Sequence, residues 1–242
     1  MRPDHIVSSF DEDLNQIDAK ILEMGGLIEH AFEGATRALK REDAELAKEI
    51  LRIDSQINAL EAEINEMVLV LIARRSPMAT DLRSAIMTLR IAGQLERIGD
   101  YIKNVGRRTH TITSNDAFMG SISMLVRMSQ DAQAQVRSAL DAFNRRDADL
   151  AEQVRQSDEQ IDQLHNTLFR ELLTYMMEDT RNISGCMQLL FIAKNVERIG
   201  DLAVDIAQEV IFMVTGEWPD EKRPKGDRTP RMVFDESTIT LS

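Results

Sequence analysis

A chain of 242 residues can bury a substantial core and form one or two domains. Its net charge of -12 excludes the basic face that nucleic acid requires, while admitting cations or basic partners. The single cysteine, Cys186, excludes an internal disulfide and a thiolate metal centre.

Few glycines, prolines and aromatics, with 43% hydrophobic residues, favour helices over sheets. Asp4 and the acidic run from Asp11 to Asp13 interrupt any apolar start, which predicts no signal peptide. The longest apolar stretch, about Met67 to Ala73, is far short of the roughly 20 residues that span a bilayer. These features predict a cytoplasmic protein.

The first helical segment runs from about His5 to Lys40. Arg41-Glu42-Asp43 breaks it, and Asp43 has the chemistry of an N-cap. Leu46, Ile50, Ile53, Ile57, Leu60, Ile64, Met67 and Leu71 then follow in alternating steps of four and three, a heptad seam. Arg74-Arg75-Ser76-Pro77 predicts its end, with Pro77 in the first turn of the next helix. The third segment carries Ile91, Leu95, Ile98, Ile102 and Val105, and fades over Thr109 to Asn115.

The second half repeats the first. Arg41, Asp43, Ala44, Leu46 and Ala47 match Arg145, Asp147, Ala148, Leu150 and Ala151 at an offset of 104. Asp54, Gln56, Ile57 and Leu60 match Asp158, Gln160, Ile161 and Leu164 at the same offset. Ile91, Ala92 and Glu96 match Ile192, Ala193 and Glu197 at an offset of 101. A unit of three long helices therefore occurs twice. In the second unit the helices are expected over Gly120 to Arg145, Asp147 to Glu178 and Arg181 to Thr215. The predicted fold is all-α, two tandem antiparallel three-helix bundles. The expected divisions are 1–114, 115–216 and a flexible polar tail over 217–242.

One pentapeptide also recurs, as Glu96-Arg97-Ile98-Gly99-Asp100 and Glu197-Arg198-Ile199-Gly200-Asp201. Each copy sets two carboxylates four residues apart on one helix face, about 5–6 Å apart at Cβ. Like charges at that spacing and a mid-helix glycine both weaken a helix locally. Helical geometry turns each pair away from its own seam, as an outward acidic row. A solvated face is the plain reading of such a row. The repetition, and a second row on each preceding helix, favour cation binding. Asp54 with Asn58, and Asp158 with Asp162, lie on the flank of those helices. Two rows facing one groove would gather oxygen donors suited to hard cations, with Gly99 and Gly200 leaving space beside them for an ion or an approaching backbone. His165, three residues after Asp162, has Glu61 at its place in the first unit; either could join, though an idle surface histidine is the simpler reading. Met119, Met124, Met128, Met176 and Met177 read as core filler.

These features resemble the PhoU family of phosphate-uptake regulators. The resemblance spans about residues 5 to 215. It rests on the doubled unit, both pentapeptides, Met24-Gly25-Gly26, Ala73-Arg74-Arg75-Ser76-Pro77 and Leu173-Thr174-Tyr175-Met176-Met177-Glu178-Asp179. It implies a cytoplasmic protein, often a homodimer, with multinuclear metal sites of iron, zinc, manganese or magnesium. The implied ligands are Asp54, Asn58, Glu96 and Asp100 in the first unit, and Asp158, Asp162, Glu197 and Asp201 in the second. Asn58 departs from the family's carboxylate pattern. The resemblance further implies a negative regulator of the phosphate-starvation response. Its implied partners are a sensor histidine kinase and the ATP-binding subunit of a phosphate ABC transporter. Two other functions compete with this one. A di-metal carboxylate enzyme would use Glu-x-x-His motifs inside a bundle, whereas this chain has Asp162-x-x-His165 once and outward rows. A purely structural helical protein would bind no metal.

Overall fold

The computed structural model describes residues 4–40, 44–109, 118–157 and 159–220. The helices are α1 (Asp4–Lys40), α2 (Ala44–Arg75), α3 (Thr80–Thr109), α4 (Met119–Arg145), α5 (Ala148–Ser157), α6 (Glu159–Glu178) and α7 (Ile183–Thr215). Asp43, the expected N-cap, and Asp158, between α5 and α6, lie outside the described residues. Together α5 and α6 cover the segment expected as one helix.

The heptad seams are the core. Ile50, Ile53, Ile57, Ile64 and Leu71 of α2 are buried, as are Ile91, Leu95, Ile98, Ile102 and Val105 of α3. In the second repeat Ile161, Leu168 and Leu172 of α6 and Ile192, Val196 and Ile199 of α7 play the same part. Helices α1, α2 and α3 pack on one another, and α7 packs on α4, α5 and α6.

The connections follow capping chemistry. At the end of α4, Arg146 takes the left-handed conformation at φ 53°, and its N–H reaches back to the carbonyls of Ala142 and Phe143. The Asp147 N–H bonds to the Ala142 carbonyl at 3.0 Å, completing a Schellman-type stop. Asp147 then accepts from the N–H groups of Asp149 and Leu150, so one residue ends α4 and caps α5. Arg74 and Arg75 do occupy the last turn of α2. Pro77 does not open α3, which begins at Thr80. The connection holds Ser76 and Ala79 at positive φ, an excursion the sequence does not announce.

The repeats face each other along two antiparallel seams. On α3 and α7, Arg83 donates to the Met213 carbonyl, Arg90 lies 3.0 Å from Glu209, and Arg108 donates to Gln188. Rising numbers on α3 meet falling numbers on α7, as a pseudo-two-fold relation requires. On α1 and α4, Arg137 forms a two-pronged pair with Glu29. Beyond the end of α4, Arg146 bonds Asp18. A Cβ at Gly25 would stand 2.6 Å from Leu140 Cδ1, so the glycine admits a side chain of the other repeat. One continuous hydrophobic core runs through both repeats.

After Gly216, which turns left-handed at φ 82°, Trp218 folds back onto Phe212 with ring centroids 4.3 Å apart. The Asp220 carbonyl accepts from Arg155 at 2.8 Å. Trp218 and Asp220 of the expected tail thus touch the bundle, and 221–242 lie outside the described residues. Among the methionines, Met128 is buried, whereas Met119 and Met177 are exposed rather than core.

Candidate metal centre

The first-repeat rows do meet. Helix α2 carries Asp54 and Glu61, α3 carries Glu96 and Asp100, and the two helices pack together. Burial pushes the Glu96 carboxyl above its ordinary pKa, and the negative charges of Asp100, Glu61 and Asp54 push the same way. Glu61 also accepts from Asn65 at 2.5 Å. Asn58 is exposed.

At the centre of this group lies Lys103. Its Nζ is 3.0 Å from both Asp54 oxygens, with hydrogen-bond geometry to Oδ2, and it also donates to Asp100. Burial pulls the Lys103 pKa down, but its bonds to Asp100 and Asp54 outweigh this and leave it raised. Lys103 was missed in the sequence. The only signal for it was its place three residues after Asp100, the spacing of a helical ion pair.

Of the two uses expected of Gly99, room for an ion or for a closely approaching neighbour, the packing fits the second. A Cβ there would stand 3.1 Å from Ile57 Cδ1, so the glycine lets α3 close onto α2 instead of clearing room for an ion.

The second-repeat set is deeper. Asp162, His165 and Asn166 of α6 and Glu197 of α7 are buried, with Glu197 only 6% exposed. The surface positions expected for His165 and Glu197 are therefore corrected: packing of α6 on α7 covers them. Lys194 donates to Glu197 at 2.8 Å, and Asp201 is part-exposed. Asp158, the fourth expected ligand, lies outside the described residues. Buried carboxylates need a paired charge or a metal, and Lys194 supplies such a charge beside Glu197; carboxylate oxygens are also the donors that a hard cation takes. Among the described residues no three His, Cys, Asp or Glu side chains already converge as a ligand cage.

A third acidic position lies on the α3–α7 seam. Glu209 is buried and its carboxyl is pushed up to about 7 by burial, against the pull of Arg90 and Gln94. Arg90 is half exposed and its charge is screened by water, so burial prevails.

Fold and site define a class: a two-repeat helical bundle with Glu-x-x-x-Asp rows in each repeat. The PhoU domain matches residues 21–109 and again 125–210. The chain is 43% identical to the phosphate-specific transport system accessory protein PhoU homolog of Rhizobium meliloti, over 93% of this chain and 95% of that one. It is 44% identical to the homolog of Zymomonas mobilis, over 91% and 93%. A crystal structure of PhoU from Pseudomonas aeruginosa superposes with a TM-score of 0.82 at 39% identity, covering 86% of this chain and all of that one. The phosphate transport system regulatory protein PhoU from Streptococcus pneumoniae gives a TM-score of 0.80 at 28% identity, covering 87% and 99%. The chain belongs to the PhoU family. Among the described residues, no helix is long and apolar enough to cross a membrane.

Proposed function

We propose that this protein is a non-catalytic negative regulator of phosphate uptake and of the phosphate-starvation response. It works in the cytoplasm as a homodimer, linking the ATP-binding subunit of a phosphate ABC transporter to a sensor histidine kinase. The observation that carries this reading is the match of the PhoU domain to both repeats, with relatives named as transport accessory proteins aligned over nearly the whole chain. The pairing of the repeats into one core supports a scaffold role, since two rigidly joined faces can engage two partners.

Metal belongs to the same proposal. Asp158, Asp162, Glu197 and Asp201 would hold divalent or trivalent cations in the second repeat, with His165 beside them. The burial of Asp162 and Glu197 supports this.

Cells lacking the chain should keep phosphate uptake and starvation genes active in phosphate-rich medium, and restoring it should silence them. Unchanged uptake and expression on deletion would refute the regulatory role. Co-purification of the kinase and the transporter subunit at high phosphate tests the adaptor role. Elemental analysis of protein purified without chelator tests the metal, which Asp201→Ala should lower while helicity is kept.

A further inference from the structure

We infer that Lys103 closes the first-repeat acidic site to metal, its ammonium standing between α2 and α3 where an ion would bridge Asp54 and Asp100. This deepens the metal reading above and rests on it only for the second repeat.

Three observations converge. The Lys103 Nζ lies within 3.0 Å of both oxygens of Asp54, a more enclosed carboxylate than Asp100, and also bonds Asp100. The Lys103 and Asp54 side chains are only 16% and 12% exposed, so the ammonium is built into the groove and is not a rim contact. Asn58, the position that would supply the fourth carboxylate, is neutral and exposed.

The second repeat is built otherwise. At an offset of 101, Lys103 corresponds to Val204, which is buried and carries no charge. Lys194 of the second repeat corresponds to Gly93. Lys194 approaches Glu197 from one turn before it and is 41% exposed, at the edge of the site. An ion entering the first site must displace a tethered ammonium from two carboxylates at once.

The test uses the full chain equilibrated with manganese(II) chloride, desalted, and analysed for bound manganese per chain. In the wild-type background, Asp100→Asn should leave the content unchanged, while Asp201→Asn removes most of it. Lys103→Met should take up at least one further manganese per chain, and adding Asp100→Asn should abolish that gain. Lys103→Arg keeps the charge and should gain none. Circular dichroism melts of Lys103→Met should show a fall in melting temperature under chelator that manganese reverses. If Asp100→Asn lowers the manganese of the wild type, or Lys103→Met gains none, the inference is overturned. A wild type without manganese, beside a Lys103→Met variant that gains it, would instead sink the metal reading of the second repeat and leave the closure standing.

Discussion

The two repeats share a core and differ at their acidic sites. Ile57 and Ile161, equivalent across the offset of 104, are both almost wholly buried. The carboxylates beside them diverge. In the first repeat Asp54 and Asp100 are held by Lys103, and the Asp100 side chain is 45% exposed. In the second, Asp162 and Glu197 are buried with His165 close in sequence on α6. A duplicated scaffold therefore preserves the apolar seam, where any change leaves a cavity or a clash. The flanking row changes more freely, because one lysine can take the place of another cation.

The seam between repeats diverges in the same way. Arg90 faces Glu209 at one end, and the offset of 101 maps this pair onto Phe191 and Arg108 at the other. There Arg108 sits 4.4 Å over the Phe191 ring. An ion pair at one end has become a cation–π contact at the other.

The largest effect tests the shared core. Ile57→Asp and Ile161→Asp each bury an unpaired charge and should each cost about 3–5 kcal/mol. Urea unfolding of both variants checks this; a loss confined to one repeat would break the equivalence of the seams.

Next comes the seam between repeats. The Glu209 carboxyl has a folded pKa of about 7 against 4.5 for its ordinary value. The folded state therefore binds the extra proton, so stability is greatest at low pH and falls as pH rises from about 4.5 through 7. Glu209→Gln removes that penalty and should stabilise the protein by up to about 3 kcal/mol at pH 8, with little effect near pH 4.5. Melts at both pH values decide it, and a variant less stable than wild type at pH 8 would mean that the Arg90 pair outweighs burial. The change in stability caused by Arg108→Ala at the opposite end should be the same at both pH values.

The smallest effect concerns the neighbouring glycines of α1. A Cβ at Gly26 meets nothing within 4 Å, so Gly26→Ala should stabilise by about 1 kcal/mol through helix propensity. At Gly25 the same change forces Leu140 of the other repeat to move, which should cancel that gain. Equal melting temperatures for the two variants would show that the repeats approach less closely at this point.

Much of this was legible in the chain because it is local. Alternating steps of four and three in Leu46 to Leu71 and Ile91 to Val105 specify a helix and its buried face without reference to any partner. The offsets of 104 and 101 exposed the duplication, and the recurring Glu-x-x-x-Asp placed carboxylates on one helix face. Tertiary structure alone decided the rest. The covering of Glu197 and His165 depends on how α6 lies against α7. The role of Gly99 depends on Ile57, forty-two positions away. Lys103 reaches Asp54 across 49 residues, and the period of α3 gives its direction but not what lies opposite. Helical periodicity is set by backbone hydrogen bonds four residues apart, whereas burial and charge pairing are set by groups that only folding brings together.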